Sequence, residues 1–154
     1  TETWLGRDRT PYALDSRSDV KVLLADPAYV EEIAQLHHQA FSDPEETLDV
    51  SRRYITEALK DSDGLLYILL KEAQVIGVCT VDLSGNNNYL YGLAVAEAYR
   101  GQCYGSYLAK SVVNQLIAQN DKSFQIAVED SNIGAKRLYE KIGFVKQTQV
   151  VYLK

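Results

Sequence analysis

Three apolar segments joined by short connections constrain the fold of this chain more than any other feature. The segments are Leu65–Leu70, Val75–Leu83 and Tyr89–Val95. Residues 71–74 form a connection of hairpin length, and residues 84–88, Ser-Gly-Asn-Asn-Asn, are typical of a turn. Because a parallel crossover needs a much longer connection, the pattern predicts three neighbouring antiparallel strands.

A strand and two helices are predicted before these three strands. The strand covers Val20–Ala25, and the first helix begins with Asp26 as its N-cap and Pro27 at its first position. Ser42, with Glu45 three residues later, predicts a capping box at the start of the second helix.

The chain after the three strands returns to alternating helices and strands. Apolar residues recur at helical spacing over Leu108–Ile117, and a strand is predicted over Phe124–Val128. Asn132 is the predicted cap of a helix that ends at Gly143, and Phe144–Leu153 is expected to form a last strand or a tight strand pair. The order β-α-α-β-β-β-α-β-α-β predicts an α/β fold, with helices covering a mixed sheet.

The length of 154 residues fits one domain. Residues 1–19 combine Gly, Pro and scattered charge without a clear period, which predicts an arm or linker before a single domain over residues 20–154. Within that arm, Trp4 and Leu5 are expected to add a short edge strand. Because the chain begins with Thr1, we interpret it as trimmed, or as a piece that follows an upstream domain. The macromolecular partners we expect are that domain or a second copy of the chain.

Composition and charge exclude several classes of protein. Hydrophobic residues make up 46% of the chain, too many for a disordered protein. The net charge is -5 and no Lys/Arg cluster offers the basic patch that nucleic-acid binding needs. No apolar run reaches the ~20 residues of a membrane helix. Cys79 and Cys103 are too few for a disulfide framework, which favours the cytoplasm. Because His37 and His38 point about 100° apart on a helix, no metal site is expected.

A glycine-bearing loop carries the clearest chemical signal. The segment Arg100-Gly101-Gln102-Cys103-Tyr104-Gly105-Ser106 lies between a predicted strand and a predicted helix. A helix N-terminus offers unpaired backbone N–H groups and the positive end of the helix dipole, and Arg adds a charge-assisted bond. The loop therefore predicts a phosphate or pyrophosphate site.

Together with a second motif, this loop resembles the GNAT family of acetyl-CoA-dependent N-acetyltransferases. The resemblance is carried by Leu93-Ala94-Val95, by Tyr99-Arg100-Gly101 and by the apolar pattern from Ile126 to Phe144 that contains Asn132 and Tyr139. It implies that the strands Tyr89–Val95 and Phe124–Val128 splay apart to admit acetyl-CoA. It also implies transfer of an acetyl group to a primary amine by direct attack in a ternary complex.

The resemblance assigns roles to named residues. Tyr139 matches the general acid that protonates the departing thiolate. The implied cofactor-binding residues are Leu93, Ala94, Val95, Arg100, Gly101, Gln102, Cys103, Tyr104, Gly105, Ser106 and Asn132. The candidate acceptor contacts are His37, Phe41, Tyr89, Tyr91 and Glu129. Packing remains an equal explanation for Tyr89 and Tyr91, which share one face of their strand.

Two departures from the family pattern leave alternatives open. Cys103 replaces a glycine, so its Cβ meets strain if the position needs a positive φ. Glu97 stands where the family often has proline. No carboxylate lies on Tyr89–Val95, which leaves Asp82, Glu129, Asp130 or a water chain as the base. The alternative is a non-catalytic acyl-CoA-binding or interaction module, and one variant of it makes the chain one half of a tandem protein. A phosphate-binding α/β domain of another kind leaves the Asn132-to-Phe144 pattern unexplained.

Overall fold

The computed structural model describes residues 2–14 and 17–150. The strands are β1 (Glu2–Arg7), β2 (Val20–Leu24), β3 (Gly64–Lys71), β4 (Gln74–Asp82), β5 (Asn88–Val95), β6 (Phe124–Glu129) and β7 (Val145–Val150). The helices are α1 (Val30–Phe41), α2 (Leu48–Lys60), α3 (Tyr104–Gln119) and α4 (Ile133–Lys141). The predicted α/β fold is confirmed.

All strands belong to one seven-stranded sheet, in the order β2-β3-β4-β5-β6-β1-β7. The pairs β3–β4 and β4–β5 are antiparallel, as their short connections predict. The neighbouring strands β5 and β6 are parallel, and α3 makes the crossover between them. The sheet is therefore mixed, and its one described parallel pair lies near its middle.

The N-terminal strand β1 lies inside the sheet. It pairs antiparallel with β6 on one side and with β7 on the other. Thr3 and Leu5 have no exposed surface, so alternate residues of β1 face the core. The expectation of an edge strand at Trp4 and Leu5 is therefore wrong. The last strand ends at Val150, and the rest of the predicted segment, residues 151–153, lies outside the described residues.

Two hydrophobic clusters hold the helices against opposite faces of the sheet. On one face, α3 and α4 contribute Leu108, Val112 and Tyr139 to the larger cluster. On the other face, α1 and α2 contribute Ile33 and Ile55 to the smaller cluster. No helix in the described part of the chain is long and apolar enough to cross a membrane.

The predicted helix starts have different outcomes. The Asp26 side chain accepts from Ala28 N–H at 2.8 Å, as expected of an N-cap, although the first turn, Pro27–Tyr29, is a 3₁₀ turn. The predicted cap at Ser42 is wrong, because α2 begins at Leu48 and its cap position is Thr47. The Ser42 hydroxyl instead lies 3.2 Å from the Ser51 hydroxyl and ties the end of α1 to α2.

Candidate functional site

A gap opens between β5 and β6 shortly after these strands meet. They pair only at Asn88 with Phe124 and at Tyr89 with Gln125. Asn88 is fully buried and fixes this junction, since its N–H donates to the Ser123 carbonyl at 2.8 Å. Beyond the junction the strands separate and leave a cleft of about 1030 Å³. The implied splaying of these two strands is thus present.

A β-bulge at Gly92 bends β5 where the cleft begins. Thr80 pairs with Tyr91 and Val78 pairs with Ala94, so β5 contains one more residue than β4 over this interval. Gly92 has φ +64, a conformation that glycine adopts without steric cost. Because bulges increase local bend and twist, this one turns the end of β5 away from β6.

Residues from both strands, from the glycine loop and from α4 meet in the cleft. Among the residues singled out from sequence, those lining it are Leu93, Ala94, Val95, Arg100, Gly101, Cys103, Tyr104, Gly105, Ser106, Asn132, Tyr139, Phe41, Tyr91 and Glu129. Gln102, His37 and Tyr89 are not among its lining residues. Positions about 100 residues apart in sequence are thus gathered around one cavity.

The N-terminus of α3 presents unpaired amides at the rim of the cleft. The first helical hydrogen bond runs from Tyr107 N–H to the Cys103 carbonyl at 3.1 Å. The N–H groups of Tyr104, Gly105 and Ser106 precede it and therefore have no partner within the helix. With the positive end of the helix dipole, they form an arrangement suited to phosphate oxygens.

Cys103, which stands where the family pattern has glycine, adopts a backbone conformation with a positive φ. Its φ is 66° and its ψ is 15°, in the left-handed region. A side chain there costs about 1–2 kcal/mol relative to ordinary helical backbone. Cys103 is an exposed, free thiol, so its Cβ strains the loop without filling the core beneath it.

Side chains below the loop hold it in place. Arg100 Nε donates to the Val95 carbonyl at 3.0 Å, which ties the loop to the end of β5. The Tyr104 side chain is buried away from the loop amides, and its hydroxyl donates to Asp19 at 3.2 Å. Arg17 lies over the Tyr104 ring at 4.1 Å and donates to the Gln102 carbonyl at 3.4 Å. No local pattern in the sequence predicts this support from residues 17–19.

Tyr139 lies on α4 with its ring packed edge-on against Phe144, 5.4 Å between ring centres. The residue is 4% exposed and lines the cleft. Burial, reinforced by Cys79 and Tyr89, raises the pKa of its phenol well above the usual value. The phenol therefore keeps its proton at neutral pH.

Asn132 uses its carboxamide oxygen at the start of α4. That oxygen accepts from Ala135 N–H at 3.1 Å, as the predicted helix cap requires. The residue is exposed and lines the cleft, so its amide NH₂ is the group suited to contact a ligand.

The candidate carboxylates have different environments. Asp82 accepts from Ser84 N–H at 2.9 Å and from the Ser84 hydroxyl at 2.7 Å, and these bonds lower its pKa. Asp130 accepts from the Thr3 hydroxyl and lies 3.7 Å from Lys136 Nζ. Glu129, at the end of β6, is exposed and lines the cleft. Of the three, Glu129 is the one among the residues that line the cleft.

Aromatic side chains form a wall beside the cleft. His37 packs between Phe41 and Tyr54, with ring centres 5.0 Å and 4.8 Å away. The pKa of His37 is lowered, mainly because the ring is buried. Burial also raises the pKa of Tyr91, together with Tyr54, to about 12. Sequence reasoning missed Tyr54, although it belongs to the apolar face of α2. Within the described residues, no group of three His, Cys, Asp or Glu side chains is placed to hold a metal ion.

Known proteins with related sequences and structures provide an independent comparison. Residues 30–144 match the family model described as the acetyltransferase (GNAT) family. A [ribosomal protein bS18]-alanine N-acetyltransferase of Haemophilus ducreyi is 29% identical over 89 residues, which are 56% of this chain and 61% of that protein. The chain thus spans about three fifths of the length of this relative.

Two solved structures illustrate the likeness in fold. An aminoglycoside N-acetyltransferase, AAC(6')-Iy in complex with CoA, has a TM-score of 0.75 at 14% identity, over 92% of this chain and 98% of that one. The aminoglycoside 6'-N-acetyltransferase AAC(6')-IG from Acinetobacter haemolyticus has a TM-score of 0.73 at 17% identity, over 87% and 97%. The family match covers most of the chain, including both strands of the cleft and the glycine loop. The chain belongs to the GNAT acetyltransferase family, which uses acetyl-CoA.

Proposed function

We propose that this chain transfers the acetyl group of acetyl-CoA to a primary amine by direct attack, with both substrates bound together. The observation that carries the proposal is the cleft that opens after the Tyr89–Gln125 pair and has the N-terminus of α3 at its rim. Acetyl-CoA, when bound, supplies an acyl group activated as a thioester. A reducing cytoplasm suits a chain whose cysteines, Cys79 and Cys103, are both free thiols.

The exposed backbone edge of β5 is the proposed partner of the cofactor's amide-bearing arm. Ala96 N–H donates across to the Ile76 carbonyl of β4 at 2.8 Å. Because hydrogen-bonding directions alternate along an antiparallel strand, the peptide groups of Val95 and Leu93 turn toward the cleft. An extended chain with amides adds to such an edge like another strand. The Val95 carbonyl already accepts from Arg100, so the Val95 N–H and the Leu93 groups are the proposed contacts.

The amides of Gln102 to Ser106 are the proposed cradle of the pyrophosphate. Gly101 has φ +77 and open space where a Cβ would stand, which lets the loop backbone approach a ligand closely. A Cβ at Gly105 would lie only 3.0 Å from the Leu138 side chain. Glycine there lets α3 and α4 close around the same end of the cleft.

Tyr139 is the proposed general acid and Glu129 the proposed general base. As the carbon–nitrogen bond forms and the carbon–sulfur bond breaks, Glu129 takes a proton from the amine and the Tyr139 phenol gives its proton to the leaving thiolate. The raised pKa of Tyr139 keeps that proton available. Asp82 and Asp130 are less suited to the base, because neither lines the cleft, whereas Glu129 does.

A second candidate function is acyl-CoA binding without catalysis. Two observations favour it: Cys103 strains the loop with a positive φ, and β5 carries no carboxylate. This candidate predicts cofactor binding and no transfer to any amine.

Thiol release from acetyl-CoA, measured against a panel of amines, distinguishes the two candidates. The panel contains simple alkylamines, polyamines, aminoglycosides and peptides with a free N-terminus. We expect release that depends on at least one amine, slower in Glu129→Gln and recovering toward higher pH, where the amine loses its own proton. Glu140→Gln, which changes an exposed carboxylate of α4, is the matched control. Acetyl-CoA binding without transfer to any amine would favour the second candidate.

A further inference from the structure

The peptide group between Gln102 and Cys103 sits at the entrance to the first turn of α3. Its carbonyl accepts from Arg17 Nη1 at 3.4 Å. Cys103 lines the cleft, whereas Gln102 is not among the lining residues. Because the carbonyl and the N–H of a trans peptide point in opposite directions, the Cys103 N–H faces the cleft. Among the described residues no backbone carbonyl accepts from this N–H, so it is free to bind a phosphate oxygen.

This orientation of the peptide is the strained one for Cys103. The φ of 66° places its Cβ in the left-handed region. Turning the peptide over, by rotation about ψ of Gln102 and φ of Cys103, gives Cys103 a negative φ that a side chain accepts easily. The same rotation aims the Gln102 carbonyl into the cleft, where its partial negative charge repels phosphate. The conformational preference of Cys103 therefore opposes the orientation that an anionic ligand needs.

Arg17 favours the strained orientation, because its hydrogen bond forms only while the Gln102 carbonyl points away from the cleft. The guanidinium carbon lies 4.1 Å from the centre of the Tyr104 ring, and the side chain is 28% exposed. Arg17 Nε also lies 3.6 Å from Asp19 Oδ1. The donor that holds the peptide is thus itself held by a ring and by a carboxylate.

Asp19 is fixed from outside the glycine loop. Its Oδ2 accepts from the Tyr104 hydroxyl and from Lys71 Nζ, each at 3.2 Å. The bond from Lys71 is the main cause that lowers the pKa of Asp19, so the carboxylate is ionised at neutral pH. Val20 N–H donates to the Arg17 carbonyl at 3.4 Å, and Val20 pairs with Lys71 in the sheet. The sheet and α3 therefore place Arg17 independently of the peptide that it contacts.

We propose that Arg17 is a positioning residue for acetyl-CoA: it holds the Gln102–Cys103 peptide with its N–H toward the pyrophosphate, against the preference of Cys103. The inference rests on the proposed function and adds to its cradle a residue from outside the loop. Arg17 acts through the peptide and needs no contact with the cofactor. Glycine at position 103 would need no such support, because it adopts a positive φ without steric cost. The effects of Arg17 and Cys103 on affinity are therefore coupled.

A double-mutant cycle tests this coupling. Acetyl-CoA is titrated calorimetrically into the parent, Arg17→Met, Cys103→Gly and the double variant. Methionine keeps an unbranched stem over the Tyr104 ring and removes the donor and the charge. We expect Arg17→Met to raise the dissociation constant about 3- to 10-fold in the parent, and about 2-fold or less when residue 103 is glycine. Arg53→Met, at an exposed position of α2, removes the same charge elsewhere and should leave the affinity unchanged.

Two results would overturn the role of Arg17. One is an unchanged affinity in Arg17→Met. The other is a loss that is as large or larger in the glycine background, since Arg17 would then act on the phosphates through its charge and not through the peptide. Urea denaturation verifies that each variant is folded under the conditions of the titration. Absence of acetyl-CoA binding to the parent would instead contradict the proposed function itself.

Discussion

The Thr3 hydroxyl donates a hydrogen bond to the Asp130 carboxylate and so joins residues 127 positions apart. Thr3 is fully buried on β1, and Asp130 lies in the turn between β6 and α4. Asp130 also lies 3.7 Å from Lys136 on α4. The N-terminal strand is thereby tied to the helix that carries Tyr139.

Removing that bond should destabilise the protein. We expect Thr3→Val to lower the free energy of unfolding by about 1.5–3 kcal/mol, the range for a hydrogen bond to a charged group. Thr3→Ser keeps the hydroxyl and should lose less. Urea denaturation of the three proteins measures the difference. A larger loss in Thr3→Ser than in Thr3→Val would mean that packing of the threonine methyl group, which valine keeps, dominates over the hydrogen bond.

Relieving the left-handed backbone at Cys103 should stabilise the protein. We expect Cys103→Gly to raise the free energy of unfolding by about 1 kcal/mol, since glycine has no Cβ to clash at φ 66°. Cys103→Ala removes the thiol but keeps the Cβ, so it should show no such gain. If the alanine variant is stabilised as much as the glycine variant, the thiol rather than the backbone is responsible.

Removing the Tyr139 hydroxyl should reduce turnover without loss of acetyl-CoA affinity. General acid catalysis contributes about 100- to 10,000-fold, so we expect kcat of Tyr139→Phe to fall within that range. The ring contact with Phe144 is retained. Tyr107→Phe, on α3 outside the cleft, is the matched control. An unchanged kcat would refute the assigned role.

The protein should lose stability in mild acid through His37. Burial holds its folded-state pKa below the ordinary 6.5, so the unfolded state binds the proton more tightly. Stability is therefore full above the unfolded pKa and declines as pH falls from there through the folded pKa. Urea denaturation at about pH 7.5 and about pH 5.5 should show a smaller decline in His37→Gln than in the parent. Parallel declines would assign the acid sensitivity to other groups.

Local patterns in the sequence were enough to predict the centre of the fold. The strands β3, β4 and β5 follow from apolar runs and turn residues within about 30 positions, and their antiparallel pairing is confirmed. The position of β1 depends on partners at the other end of the chain, such as Ala127 for Trp4. The alternation of buried Thr3 and Leu5 is too brief to reveal whether a strand lies inside a sheet or at its edge.

The candidate site likewise contains residues that local sequence patterns predict and contacts that depend on distant parts of the chain. The glycine loop could be found because its residues are contiguous, and Tyr139 because the motif around it has a fixed spacing. The contact between Trp4 and Tyr89 could not be predicted, because it depends on the pairing of β1 with β6. The support of the loop by Arg17 and Asp19 was missed for the same reason, since it depends on how the connection after β1 crosses α3.

Calorimetric titration of acetyl-CoA tests the central claim most directly, namely that the cleft between β5 and β6 holds the cofactor. The account predicts one site with a dissociation constant in the range of about 1 μM to 1 mM. Ala127→Trp places a large ring in the cleft and should abolish binding, whereas Ala118→Trp, at an exposed position near the end of α3, should not. Binding that survives Ala127→Trp unchanged, or no binding to the parent protein, would contradict the account.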